Sequence, residues 1–140
     1  LFGLTGWLLV GGGDAVLVID DTALPKKGDH SVGVAAQYAS ALGKTANCQT
    51  LVSLTLARAE VPVMVGLRLF LPDSWTGDPA RLKQAGVPAA YRDACSKPEI
   101  ALAEIDRVIA AGVRFGAVLA DAGYGLSAPF RQGLTARGLT

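Results

Sequence analysis

No apolar run in this sequence approaches the ~18 residues that a membrane-spanning helix needs. Residues 1–10 have neither a basic flank nor a small-residue cleavage site. Membrane and secreted classes are thereby set aside. Cysteine is nearly absent: Cys48 and Cys95 stand far apart, with no C-x-x-C, and the single His30 is near neither in sequence. They spell out no zinc site and no disulfide framework, and a reducing cytoplasm is the expected location. An excess of one charge is also lacking, since 13 Lys+Arg against 12 Asp+Glu leave a net charge of +1. That is too little to advertise a polyanionic partner, and it is no bar to one. What the chain does have is material for a core. At 51% hydrophobic and 18% charged residues it is far from a disordered composition. A chain of 140 residues is expected to bury about 68–70% of its unfolded surface, in one globular domain. The first residue is Leu rather than Met, and Gly138-Leu139-Thr140 reads as a helix stop followed by the start of something apolar. The chain is therefore read as a fragment.

Residues 1–13 are expected to be the end of an upstream segment or a linker, with Gly11-Gly12-Gly13 as a flexible joint, and Leu8-Leu9-Val10 is too short to assign. Residues 14–140 then form the domain. Residues 15–19, Ala-Val-Leu-Val-Ile, are continuously apolar and rich in β-branched side chains, as in a central strand covered on both faces, and the run ends on Asp20-Asp21-Thr22. The polar stretch 23–46, at 24 residues, exceeds an ordinary structureless loop. It is expected to be functional or to hide a short helix.

Residues 48–57 and 62–71 read as two antiparallel strands of a hairpin across Arg58-Ala59-Glu60-Val61. In the first, Val52, Leu54 and Leu56 alternate with Ser53, Thr55 and Ala57. In the second, Val63, Val65, Leu67 and Leu69 share one face, opposite Met64, Gly66, Arg68 and Phe70. Residues 72–95, interrupted by Pro72, Pro79 and Pro88, are expected to be irregular. Ser96-Lys97-Pro98-Glu99 is a capping box opening a helix with an apolar stripe of Leu102, Ile105, Val108 and Ile109, stopped by Gly112. Residues 115–120 form another strand, ending on Asp121-Ala122-Gly123-Tyr124-Gly125. Ser127 caps a last helix in which Phe130 and Leu134 share a face and Gly138 ends it.

The order strand, strand, strand, helix, strand, helix thus carries an aspartate at the end of its first strand and another at the end of its fourth. This pattern resembles the ribonuclease H-like fold of the DDE transposases: a mixed α/β sheet, three antiparallel strands plus a parallel one, with flanking helices, here C-terminally truncated. The wording is similar to that of the transposases of bacterial insertion sequences. It comprises Val18-Ile19-Asp20-Asp21-Thr22, Pro25-Lys26-Lys27-Gly28, Ser31-Val32-Gly33-Val34, Gln37-Tyr38, Asn47-Cys48-Gln49 and Val118-Leu119-Ala120-Asp121-Ala122-Gly123-Tyr124-Gly125, spread over residues 14–139. Single pieces are weak signals; their order and spacing together are specific.

The resemblance implies that the first and fourth strands lie side by side and parallel, so that Asp20 and Asp121 emerge at one sheet edge. Two neighbouring carboxylates repel, and a shared hard cation, Mg²⁺ or Mn²⁺, relieves the repulsion. The implied activity is metal-dependent cleavage and strand transfer at a DNA phosphodiester, in-line, with water or a 3′-hydroxyl as nucleophile. The implied partners are transposon ends and target DNA, with a homodimer in the full-length protein. The family's third acidic ligand is a glutamate on a helix after further strand structure. Glu99 and Glu104 precede Asp121 and match no such position, so an incomplete site is expected.

Strand parity does not choose between Asp20 and Asp21. The resemblance favours Asp20, leaving Asp21 and Thr22 beside the site. Against the metal reading stands the common use of a strand-end Asp to cap the following turn. Lys26 and Lys27 are candidates for DNA phosphates, against a solvated loop. Arg68, Arg81 and Arg92 are weaker candidates. Trp75 and Tyr124 suit base stacking or, more commonly, anchoring a loop on the core. Two other readings compete. A haloacid dehalogenase-like phosphatase needs Asp-x-Asp, whereas Asp20-Asp21-Thr22 stands here. A transposase remnant that binds DNA or a partner without catalysis fits the same residues.

Overall fold

The computed structural model describes residues 10–140. Expectations for residues 1–9 lie outside them. Five strands form one mixed sheet, β1 (Val16–Pro25), β2 (Ala35–Ala39), β3 (Lys44–Arg58), β4 (Val61–Phe70) and β5 (Ala117–Ala120), in the order β2-β3-β1-β5, with β4 also paired to β3. The helices are α1 (Asp73–Thr76), α2 (Pro79–Gln84), α3 (Lys97–Ala110), α4 (Ala122–Gly125) and α5 (Ala128–Ala136). β1 and β5 are parallel and β2 and β3 antiparallel, an arrangement consistent with the ribonuclease H-like sheet.

The chain divides into two compact units. The first takes the chain up to Asp20, Val52–Arg68 and Lys97–Thr140. Its core is built from the expected alternations: Leu17 and Ile19 of β1, Val52, Leu54 and Leu56 of β3, and Ile100, Ala101, Ile105 and Val108 of α3 are all buried. α3 begins right after Ser96 and stops before Gly112, whose φ of 87° is the left-handed turn that favours glycine. The apolar stripe of α3 is rotated from the expected one. Ile100 and Ala101 are inside while Ile109 is 42% exposed, because the face is chosen by what packs on it and several apolar registers were open. In β4, Val63 and Val65 are buried as expected, but the alternation breaks at Gly66. That residue is buried with Glu104 and Arg107 above it, and Leu67 is 51% exposed.

Gly11-Gly12-Gly13 is a packed turn rather than a loose joint. The Gly12 amide donates to the Arg114 carbonyl at 2.9 Å, and the Gly13 carbonyl lies against Gly116 where a Cβ would have to sit. β5 accordingly starts at Ala117, two residues later than expected.

The second unit comprises Asp21–Leu51 and Leu69–Ser96. β1 does not stop at Ile19 but continues through Asp20-Asp21-Thr22 to Pro25, because pairing partners outweigh the low strand preference of Asp. Stretch 23–46 hides both a strand, β2, and a short helix, a 3₁₀ turn at Ser40–Leu42, and β3 begins at Lys44. Residues 72–95 are not irregular: they hold α1, α2 and a 3₁₀ turn at Ala89–Tyr91, with Pro79 in the first turn of α2, where its missing N–H costs nothing. Val34, Trp75, Leu82 and Val87 form this unit's core cluster.

Candidate functional site

The register of β1 and β5 runs Val16↔Ala117, Leu17↔Val118, Val18↔Leu119 and Ile19↔Ala120. Asp20 and Asp121 are the residues that follow the last pair, Ile19↔Ala120. Neighbouring strands lie about 4.8 Å apart, and residues alongside each other in a parallel pair face the same way. Along β1, Leu17 and Ile19 are buried while Val16 and Val18 are half-buried and Asp20 is exposed. Asp20 therefore belongs to the more open face of the sheet, which on β5 also carries Leu119, 60% exposed. Asp21 falls on the opposite face and is half-buried. Asp20 lies mid-strand, not at a strand end as expected, whereas Asp121 directly follows the last residue of its strand. Both belong to the first unit.

Each aspartate is tied to its element. The hydroxyl of Ser53, on β3 and only 7% exposed, donates to the Asp20 carbonyl at 3.1 Å, fixing the β1 peptide where the carboxylate leaves it. Asp121 does what a strand-end Asp commonly does: its Oδ1 accepts from the Tyr124 amide at 3.4 Å and caps α4. The Asp-Ala-Gly-Tyr-Gly wording is explained by this turn. A Cβ on Gly123 would sit 3.1 Å from Asp121 Oδ1, so glycine leaves room for the carboxylate. Tyr124 is buried, with its ring 5.6 Å from that of Phe130. A carboxylate has about four lone-pair sites, and the cap occupies one.

Among the described residues no group of three or more His, Cys, Asp or Glu side chains is placed to hold a metal ion. The pair Asp20 and Asp121 offers hard oxygen donors of the kind Mg²⁺ and Mn²⁺ accept, with water completing the shell. In kind the donor set fits; in number it is minimal.

The remaining candidates are spread out. Lys26, Lys27 and Thr22 are exposed, the lysines just beyond β1 in the second unit. Arg81 stacks 3.7 Å above the Trp75 ring and donates to the Asp29 carbonyl at 2.8 Å. Arg92 donates to the Val87 carbonyl at 2.7 Å. Both arginines thus hold protein backbone. Arg68 lies half-buried near the end of β4 in the first unit. Trp75 is 1% exposed, its indole N–H donating to the Val34 carbonyl at 2.9 Å, so Trp75 and Tyr124 are loop anchors, not stacking platforms.

Sequence reasoning missed Ser53, which it placed on the polar side of an alternating strand. A hydroxyl there carries no local sign that it will meet a β1 carbonyl. Comparison with curated proteins and with solved structures finds no match. Among protein-family models, that of the DDE superfamily endonucleases matches residues 4–140, and this chain belongs to that family.

Proposed function

We propose that the chain is part of the catalytic domain of a transposase that cleaves and joins DNA at transposon ends and target, with Asp20 and Asp121 holding Mg²⁺ or Mn²⁺. Membership of the family supports a transposase-like nuclease function. The observation that supports the finer reading is the parallel β1/β5 register, whose last pair, Ile19↔Ala120, is followed by Asp20 on one chain segment and Asp121 on the other. A bound divalent ion would activate the attacking hydroxyl and stabilise the leaving oxygen of the phosphodiester.

The chain's own residues supply placement. Ser53 holds the peptide of Asp20, and the α4 cap holds the side chain of Asp121, so the Asp20 backbone and the Asp121 carboxylate are held before an ion arrives. Lys26 and Lys27, exposed on the loop after β1, take DNA phosphates. Asp21 and Thr22 flank Asp20 on the same strand as supports, and Arg68 is a weaker candidate for a phosphate contact. Arg81, whose guanidinium is engaged with Trp75 and Asp29, is a weaker candidate of the same kind. A homodimer and a cytoplasmic location belong to the same reading.

The deciding experiment is a Mn²⁺ titration followed by electron paramagnetic resonance, on the chain and on Asp20→Asn and Asp121→Asn. Each variant is expected to weaken binding about tenfold or more, in line with the loss of one carboxylate from a two-carboxylate site. Because Asn caps a helix about as well as Asp, Asp121→Asn leaves α4 intact and isolates the effect on the ion. Unchanged binding in both variants would remove the site.

A further inference from the structure

The loop between β1 and β2 combines exposed side chains with a backbone held at nearly every carbonyl. Lys26, Lys27, Gly28, Asp29 and His30 are all exposed, the Asp29 and His30 side chains at 84% and 101%. Yet Asn47 Nδ2 donates to the carbonyls of Lys26 at 2.9 Å and Gly28 at 2.8 Å, and Arg81 Nη2 donates to that of Asp29 at 2.8 Å. Gln49 Nε2 donates to Val32 at 2.7 Å, and Gln37 Nε2 to Gly33 at 3.3 Å. The Asn47 main chain closes the clasp by accepting the Lys26 amide at 2.9 Å. Arg81 is itself fixed, stacked on a Trp75 that is locked into the core cluster.

Water would satisfy exposed carbonyls equally well, so these bonds add little by way of satisfaction. What they add is a single loop conformation. An unpinned loop would lose its freedom on meeting a ligand and bind more weakly for it, whereas a pinned one is ordered in advance. The side chains this loop presents include two adjacent cations, Lys26 and Lys27.

We propose that Asn47, with Gln49 and Arg81 beside it, is a positioning residue for DNA: it holds the loop so that Lys26 and Lys27 meet backbone phosphates without an ordering cost. The proposal rests on the reading of those lysines as phosphate contacts and extends it to residues that touch no DNA. It also accounts for the Asn47-Cys48-Gln49 wording, which the metal site leaves unused.

The test is a double-mutant cycle on the whole chain, with a mixed-sequence duplex oligonucleotide as probe and affinity measured across a salt series. Asn47→Ala is expected to lower affinity about fivefold to tenfold at every salt concentration while leaving the salt slope unchanged, because both lysines remain. The Lys26→Ala/Lys27→Ala pair is expected to flatten the slope by about 1.8. Added to that pair, Asn47→Ala should cost nothing more, since it acts through the lysines. No loss with Asn47→Ala alone, or the same loss in both backgrounds, overturns the positioning role and leaves the lysine contacts standing. An unchanged affinity and slope for the lysine pair overturns the contacts themselves and the positioning role with them. Should Asn47→Ala fail to fold, Gln49→Ala taken through the same cycle decides the matter by the same outcomes.

Discussion

Asp121 serves two purposes with one carboxylate. Its Oδ1 is committed to the Tyr124 amide, so the same side chain that would bind an ion also shapes the turn into α4. The two uses separate by substitution: Asp121→Asn keeps the cap, and Asp121→Ala loses it at a cost of about 0.5–2 kcal/mol. Urea unfolding without metal is expected to show near-native stability for the first and a clear loss for the second. Equal losses would mean that the carboxylate charge, not the cap, stabilises the turn. Gly116 makes a second prediction at this scale. A methyl group there would meet the Gly13 carbonyl, which is backbone and has nowhere to swing. Gly116→Ala is therefore expected to destabilise by about 1–3 kcal/mol, read from the same unfolding curves. A neutral result would mean that the N-terminal turn moves aside freely.

Between elements, the contact of α3 with α5 carries the clearest electrostatic device in the first unit. Arg137, just after α5, donates from Nε and Nη2 to the two carboxylate oxygens of Asp106 on α3 at 2.6 and 2.7 Å, a bidentate pair. These hydrogen bonds hold the Asp106 carboxyl below its ordinary value, and burial opposes them only in part. A depressed folded-state value means that the stabilisation is present above the unfolded value near 4, and is lost as pH falls through the folded one. The Asp106 side chain is 53% exposed, so solvent screens the pair and its worth is about 1 kcal/mol or less. Asp106→Asn is expected to be less stable than the parent at pH 6 by that amount, with the gap closing below about pH 4. A gap that persists at low pH would make the contribution packing and not charge. Close packing matters here as well: Gly133 on α5 lies where a Cβ would press on Leu102 of α3.

For the molecule as a whole, the carboxylate count sets the expected activity. With the two aspartates of the proposed site, and no group of three ligating side chains among the described residues, an ion bound there would be under-neutralised and loosely placed. Placement supplies much of the rate in metal-assisted displacement. A plasmid nicking assay with Mg²⁺ and then Mn²⁺ is expected to show at most marginal cleavage by this 140-residue chain. Robust cleavage that disappears in Asp20→Asn would show that two carboxylates suffice, and cleavage indifferent to Asp20→Asn would place the chemistry elsewhere.

The sequence by itself determined the parts governed by local pattern. Alternation fixed the buried residues Val52, Leu54 and Leu56; Ser127 and Gly138 bounded α5; Gly112 ended α3; and the short break at Arg58-Ala59-Glu60-Val61 indicated the β3/β4 hairpin, whose turn the fold tightens to Ala59-Glu60. The motif order was enough to indicate the family. Tertiary structure decided what depends on partners distant in sequence. β1 continues through two aspartates because neighbouring strands pair with it, and β2 forms because β3 offers residues 44–48 as a template. The choice between Asp20 and Asp21 was closed to parity, since both faces of residues 15–19 are apolar; only the packed sheet makes Asp20 exposed and Asp21, on the other face of β1, half-buried. Likewise Asn47 reads locally as any polar strand residue, and only the fold brings its amide to the carbonyls of Lys26 and Gly28, about twenty residues back. A hydrogen bond across that separation depends on where the chain returns, and no local preference encodes it.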